Sequence, residues 1–457
     1  MSNETSPPKN MRVFLLIWFG QFISAIGTGL GSFTLGVWIY ETTGSATQFS
    51  LMAFVGILPA LLLSPLAGAF ADRYDRRRIM LATDLLAAIM TGLLVLALYT
   101  GRLETWHVYP FVMAMVTLAM FQAPAFLASV SLLVPREQLA RANGMSQMSQ
   151  SVAQILGPLL AGVLVRFISY HGVILIDCIT FLVGAATLAL VRIPRSAPAA
   201  AEPRPGGAAA GAPASVSGWQ YLRTHSGLLN LMILFALTNF GVGIVQVMLT
   251  PLVLSFASTV ELGTVNSAAA AGSLLGGIAL SVWGGPRYRV GAILACLAAQ
   301  ALLLFVGGAR PSIPLIATAA AMFMLTVPIM NGCSQAIWQS KVPHNLQGRV
   351  FAVRQMITLS ALPLAYLISG PLADLVFNPL LVPGGALADS VGRFLGVGEG
   401  RGVGLLLMAL GAFILLVTAL FSFNPRLRRV EAEVPDAEAA PAPPEPGSAV
   451  APEAQTA

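Results

Sequence analysis

The chain has 457 residues, of which 56% are hydrophobic and only 10% charged, and its mean hydropathy is +0.79. Soluble domains carry about 25% charged residues, so this composition excludes a soluble globular enzyme and points to a chain that lives in a bilayer. The formal net charge of +6 falls in polar connections between apolar runs, which argues against a nucleic-acid partner. Cys178, Cys296 and Cys333 all lie inside apolar runs, so no disulfide framework is indicated.

The stretch 1–12, MSNETSPPKNMR, is polar, and the apolar run behind it is too long for a signal peptide and ends in no small-residue cleavage site. It is expected to be a cytoplasmic tail. Apolar runs of about 20 residues follow, the length at which a helix crosses about 30 Å of hydrocarbon; a spanning barrel would alternate in short segments instead. Twelve helices are expected, near 13–39, 47–71, 79–100, 107–133, 144–167 and 172–192, then 228–254, 259–284, 290–308, 313–339, 350–375 and 403–423. Between the sixth and seventh lies 194–227, whose part 194–217 is rich in Pro, Ala and Gly without hydrophobic period and reads as a cytoplasmic linker. It separates a bundle at 13–193 from a second at 228–424. The stretch 376–402 is long for a loop, and a short helix is expected in it. The tail 425–457, rich in Pro, Ala and Glu, is expected to be disordered and cytoplasmic.

With both termini inside, 20 of the 25 basic residues fall on the inner side and five on the outer: Arg102, Arg166, Arg310, Arg393 and Arg401. That is the positive-inside bias expected of a multi-pass protein in the cytoplasmic membrane. An internal repeat supports the same count. The loop VPREQLARANGMSQ resembles VPHNLQGRVFAVRQ, with Val134–Pro135, Arg141 and Gln147 matching Val342–Pro343, Arg349 and Gln355 at one offset of 208. Both following helices carry Gly-Pro, at 157–158 and 370–371. Two six-helix halves of the same orientation, with a site between them, are a transporter architecture.

Between the second and third runs stands GAFADRYDRRRIM, residues 68–80. It resembles the signature G-x-x-x-D-R-x-G-R-R/K of the major facilitator superfamily, with Gly68, Asp72, Arg73, Arg76 and Arg77 matching and Asp75 in place of a second glycine. The segment Gly157, Pro158 to Gly162 is similar to the Gly-Pro motif of antiporter members, with Ala161 replacing one glycine. The paired VP…R loops resemble the branch of macrolide-efflux and enterobactin-exporter proteins. The resemblance covers residues 10–425. It implies an all-α fold of twelve transmembrane helices in two parallel pseudo-repeats, alternating access, and proton-coupled export. The arginine that many drug–proton antiporters carry in helix 4 is absent here; that helix has Gln122 instead.

Asp72 reads as a gate latch, able to sit at the positive end of helix 11 and near Arg141 or Arg349, while Gly68 permits close approach of backbones. Arg73, Arg76 and Arg77 are counted with them, and with Arg141 and Arg349, as gating residues, while the alternative for Arg76, Arg77 and Arg78 is an anchor touching lipid headgroups. Acids inside spans are costly and are functional candidates. Asp84 and Asp177 lead as proton-coupling groups; Glu261 and Asp374 read as structural groups near the outer side. Gln21, Gln122, Asn239 and Gln335 are candidates to line a substrate cavity, since amide groups facing lipid are costly. Trp18, Phe22, Phe121, Met248 and Trp338 suit an adaptable apolar pocket.

Lys9 and Lys341 are the only lysines and neither follows a glycine, so no phosphate-binding loop is present. The four histidines have no metal spacing, and no G-x-S-x-G nucleophile occurs. No enzyme, metal or cofactor is expected. The leading reading is a monomeric exporter of amphipathic small molecules (drugs, siderophores or peptide natural products) whose partners are its cargo, protons and the bilayer. Lysolipid translocation, and a non-transporting scaffold or receptor, are the alternatives.

Overall fold

The computed structural model describes residues 11–135, 138–191, 218–398 and 400–433. Among these, every regular element is helical. Eleven helices are long and apolar enough to cross a membrane. One of them, Leu139–Leu190, has 52 residues, a straight length of about 78 Å and far more than a bilayer. Its run breaks at Ser169, where φ is 61° and ψ is 176°, so it makes two passes and the total is twelve.

We name the passes α1 (Met11–Thr43), α2 (Ala46–Arg73), α3 (Arg76–Tyr99), α4 (Thr105–Leu133), α5 (139–168) and α6 (170–190). The second half holds α7 (Ser226–Leu254), α8 (Thr259–Trp283), α9 (Arg289–Ala309), α10 (Ile313–Lys341), α11 (His344–Pro371) and α12 (Arg401–Ser422). A π-helical turn, Leu372–Phe377, continues α11, and short helices at Asn378–Leu381 and Gly392–Leu395 occupy the long connection to α12. Twelve passes return the chain to its starting side. We call that side the terminal end and the other the far end.

Local chemistry sets several boundaries. The Ser45 hydroxyl accepts from Gln48 N at the start of α2, and the Asp75 carboxylate accepts from Arg78 N at the start of α3. Ser258 and Glu261 form a reciprocal capping box on α8. Gly284, at φ 76°, ends that helix in the left-handed region that glycine enters without strain.

Packing repeats between the halves. In the first, α1 packs on α5 and α6, α2 on α4, and α3 on α4 and α6; in the second, α7 packs on α11, α8 on α10, and α9 on α10 and α12. Each pair has its counterpart six helices on. The most extensive packing between the halves, α5 with α8 and α2 with α11, exchanges under the same relation.

Two expectations are corrected at the terminal end. The segment 194–227 is not linker throughout: Gly218–Thr224 is a helix, Leu222 is fully buried, and Tyr221 donates to the Lys341 carbonyl at 2.9 Å. Residues 194–217 lie outside the described residues. The tail 425–457 also begins with order. Pro425–Arg428 and Val430–Glu433 are helical turns, and Leu427 and Val430 are fully buried. Glu431 accepts from Arg289 N at 3.0 Å, and Lys341 Nζ donates to the Glu431 carbonyl at 2.7 Å. Two apolar side chains here cover the exposed ends of the second half, a local property that the average composition of the tail hides. Residues 434–457 lie outside the described residues.

Candidate functional site

All six helices of the first half surround a cavity of about 610 Å³. Its wall is mostly apolar. Trp18 and Phe22 of α1 stack on one side with ring centroids 5.5 Å apart, facing Phe111 and Phe126 of α4 and Phe181 of α6. Polar groups enter from α1, α4 and α5, namely Gln21, Gln122, Gln150 and Gln154. Among the lining residues Asp177 of α6 is the only one that can ionise.

The glycines of α1 explain how α6 comes so near. Gly20, Gly27 and Gly31 face Thr187, Thr180 and the Asp177 carboxylate, and no side chain fits at any of the three. Small residues let helix backbones approach in a membrane. Across α1, a Cβ on Gly157 of α5 would lie 2.9 Å from the Gly29 Cα.

The two candidate acids sit in different surroundings. Asp84 is fully buried, and both its oxygens are occupied. Gln21 Nε2 donates to Oδ2 at 2.9 Å, Gln122 Nε2 donates to Oδ1 at 2.6 Å, and Gln122 Nε2 also reaches Gln21 Oε1 at 2.8 Å. This knot ties α1, α3 and α4 beside the cavity. Asp177 is 5% exposed, and its Oδ1 has no hydrogen-bond partner.

Asn239 and Gln335 are not among the residues lining this cavity. Asn239 Nδ2 donates to the Thr358 carbonyl at 3.1 Å, tying α7 to α11. Gln335 Oε1 accepts from Arg354 Nη1 at 2.8 Å, and Arg354 also lies over the Trp338 ring at 5.2 Å. With a start near 350, the sequence places Arg354 at the inner edge of α11. The helix starts at His344, which carries Arg354 three turns into the span. Met248 and Trp338 are fully buried and Phe121 packs edge-on against Phe70, so of the apolar candidates Trp18 and Phe22 line the cavity.

At the far end the two halves are bonded together. Asp374 accepts from Ser45 Oγ, Thr47 N and Thr47 Oγ1, each at 2.8 Å, and from Ala46 N at 3.3 Å. Thr259 Oγ1 donates to Glu41 Oε1 at 3.0 Å, and the Tyr170 hydroxyl bonds the other oxygen of Glu41. Below them Pro158 and Gly162 face the second half, while Gly157 faces Gly29 of α1. A Cβ on Gly263 of α8 would lie 2.5 Å from the Pro158 carbonyl oxygen, and one on Gly162 would lie 2.7 Å from the Thr259 carbonyl oxygen. Ser267 Oγ donates to the Ile155 carbonyl at 2.6 Å.

At the terminal end Gly68 and Asp72 fall in the last turns of α2; their side-chain surroundings lie outside the described residues. Arg76 Nη1 donates to the Ala128 carbonyl, and Arg77 donates from Nε to Leu188 O and from Nη2 to Ala189 O, all at 2.9 Å. Both arginines therefore bind carbonyls inside the first half, where a cation near a helix C-terminus is favoured. Arg73, Arg141 and Arg349 are exposed, the last two at matching places near the starts of α5 and α11.

A twelve-pass bundle of two related sixes with an apolar cavity among its helices has the architecture of a membrane transporter. The chain belongs to the Major Facilitator Superfamily, whose family model matches residues 17–366. It is 28% identical over 365 residues to Macrolide efflux protein A of Streptococcus pyogenes, covering 79% of this chain and 89% of that one. It is 25% identical over 369 residues to the Multidrug efflux pump Tap of Mycolicibacterium fortuitum, with the same coverage. Among solved structures, a bacterial homolog of the human lysosomal transporter Spinster, inward-facing and unoccupied, aligns with a TM-score of 0.69 at 15% identity, covering 93% of this chain and 98% of that one. That likeness concerns the fold.

Proposed function

We propose that this protein exports amphipathic small molecules across the cytoplasmic membrane by alternating access in exchange for protons, with both termini in the cytoplasm. The observation that carries the reading is the pairing of an apolar cavity holding one ionisable group with hydrogen bonds that join the halves at the far end. A far end held shut in this way leaves the cavity to be loaded from the terminal side, the direction an exporter requires. The basic residues concentrated at the terminal end favour placing it in the cytoplasm. Relatives named for macrolide and multidrug efflux favour drug-sized cargo. The 610 Å³ volume lies in the range of about 300–1,000 Å³ common for small-molecule sites. Asp84 and Asp177 are the acids within the bundle that can exchange a proton.

Everted membrane vesicles from cells expressing the chain test this. They should accumulate a radiolabelled macrolide when respiration acidifies the lumen. Accumulation should fall to the level of vesicles lacking the protein when an uncoupler collapses the gradient. Accumulation that persists with the gradient collapsed overturns proton antiport, and no accumulation of any amphipathic drug overturns export.

A further inference from the structure

We infer that the cavity of the first half is a site for organic cations, in which the Asp177 carboxylate is the ion-pairing group, and that it discriminates against anions of equal size. The inference rests on the export reading and names its cargo class.

Charge is the first support. Lysine, arginine and histidine are absent from the lining residues, and Asp177 is the only acid among them. Arg354 of α11 is engaged with Gln335 and the Trp338 ring. A lone carboxylate in a low-dielectric wall gains most from an incoming cation and repels an incoming anion.

The second support is what the neighbours of Asp177 do. Its two neighbours Cys178 and Thr180 on α6 are turned to backbone carbonyls instead of its carboxylate. The Thr180 hydroxyl donates to the backbone carbonyl of Asp177 at 2.7 Å, and Cys178 Sγ donates to the Ala88 carbonyl at 3.2 Å. On α1 the facing residue is Gly31, which offers no side chain. Asp177 Oδ1 is thereby left without a partner, a costly condition for a buried oxygen and a rare one inside a membrane. Asp84 is the internal contrast. It is equally buried in the same half, but both its oxygens are taken by Gln21 and Gln122. The fold satisfies one acid and leaves the other to a ligand.

The aromatic wall is the third support. Trp18, Phe22 and Phe181 border the same space, and a desolvated cation is attracted to the face of an aromatic ring.

A pair of probes with one shape and opposite charge reads the charge preference directly: tetraphenylphosphonium and tetraphenylborate. Their binding to the full-length protein in zwitterionic lipid nanodiscs is measured by equilibrium dialysis, with empty nanodiscs subtracted. The wild type should bind the phosphonium at least tenfold more tightly than the borate. Asp177→Glu should keep the preference, and Asp177→Asn should reduce it to within about twofold. Equal affinities in the wild type, or tighter borate binding, overturn the inference without any variant having to fold. A folded Asp177→Asn protein that retains the full preference overturns it too. If the preference is absent while vesicles still accumulate a macrolide, the cation site fails and export stands. If vesicles accumulate nothing, it is the export reading that fails.

Discussion

Asp374 shows how much one side chain contributes to the state of the molecule. Helix N-termini expose unpaired N–H groups and carry partial positive charge. The α2 terminus meets a carboxylate from the other half of the chain, and the hydroxyls of Ser45 and Thr47, which donate to it, complete the seat. Hydrogen bonds to a charged group contribute about 1.5–3 kcal/mol each, and 1.4 kcal/mol is about tenfold in an equilibrium. Removing the carboxylate should therefore shift the far end towards opening by about tenfold or more. Ser50 reports this, because it is 1% exposed and lies against Gly370 just beneath the seal. In a background with the three native cysteines replaced, a cysteine at Ser50 should react with a membrane-impermeant maleimide about tenfold faster in Asp374→Ala than in the parent. Unchanged labelling would count against the seal. Sequence reading placed Asp374 as a structural group near one face. It could not supply the partner, because Ser45 is 329 residues away.

Among elements, the crossing of α5 and α8 depends on positions where no side chain fits. Gly162 and Gly263 each bring a Cα against a carbonyl of the opposite helix, so the two halves meet backbone to backbone. Gly263→Val would drive a branched side chain into the Pro158 carbonyl and force the helices apart. Export should fall to a small fraction of the parent, measured as drug accumulation in vesicles at matched protein amounts. Gly277→Val in the same helix is the control. Nothing lies within 4 Å of a Cβ placed there, and its export should stay close to the parent. A Gly263→Val protein with full activity would show that the close crossing is dispensable. The Gly-Pro motif was visible as a string of letters; which helix it faced was not, since α8 lies a hundred residues further on. The expected start of α11 shows the opposite difficulty. A proline and several polar residues blur the apolar edge there, so Arg354 was placed at a boundary when it is inside the span.

Over the whole molecule, the bonds at the far end and the arginine-rich terminal end describe a machine closed on one side. Gly68 and Asp72 stand at the other side, where the superfamily resemblance implies a latch. If Asp72 holds the terminal end shut in the opposite state, Asp72→Asn should leave expression and the elution profile in detergent unchanged while slowing export at least tenfold. Wild-type efflux at wild-type protein levels would remove the latch. The charge pattern adds a constraint of its own: the first half carries the buried acids Asp84 and Asp177, and the charged side chains buried in the second half, among the described residues, are Lys341 and Arg401, with Arg354 half-buried against Gln335. The two walls of the transport path therefore differ electrically although their helices pack alike.

The sequence by itself determined that the chain crosses a bilayer twelve times in two related sets of six. Hydrophobic length and repeated motifs are properties of consecutive residues, and each apolar run must form a helix because lipid offers its backbone no partner. Tertiary structure alone decided what each polar group does once inside. Asp84 and Asp177 look alike along the chain. One is satisfied by amides 63 and 38 residues away, while the other faces a glycine and keeps an open oxygen. Hydrogen bonding is short-ranged and directional, so the difference between a structural acid and a binding acid exists only after the helices have packed.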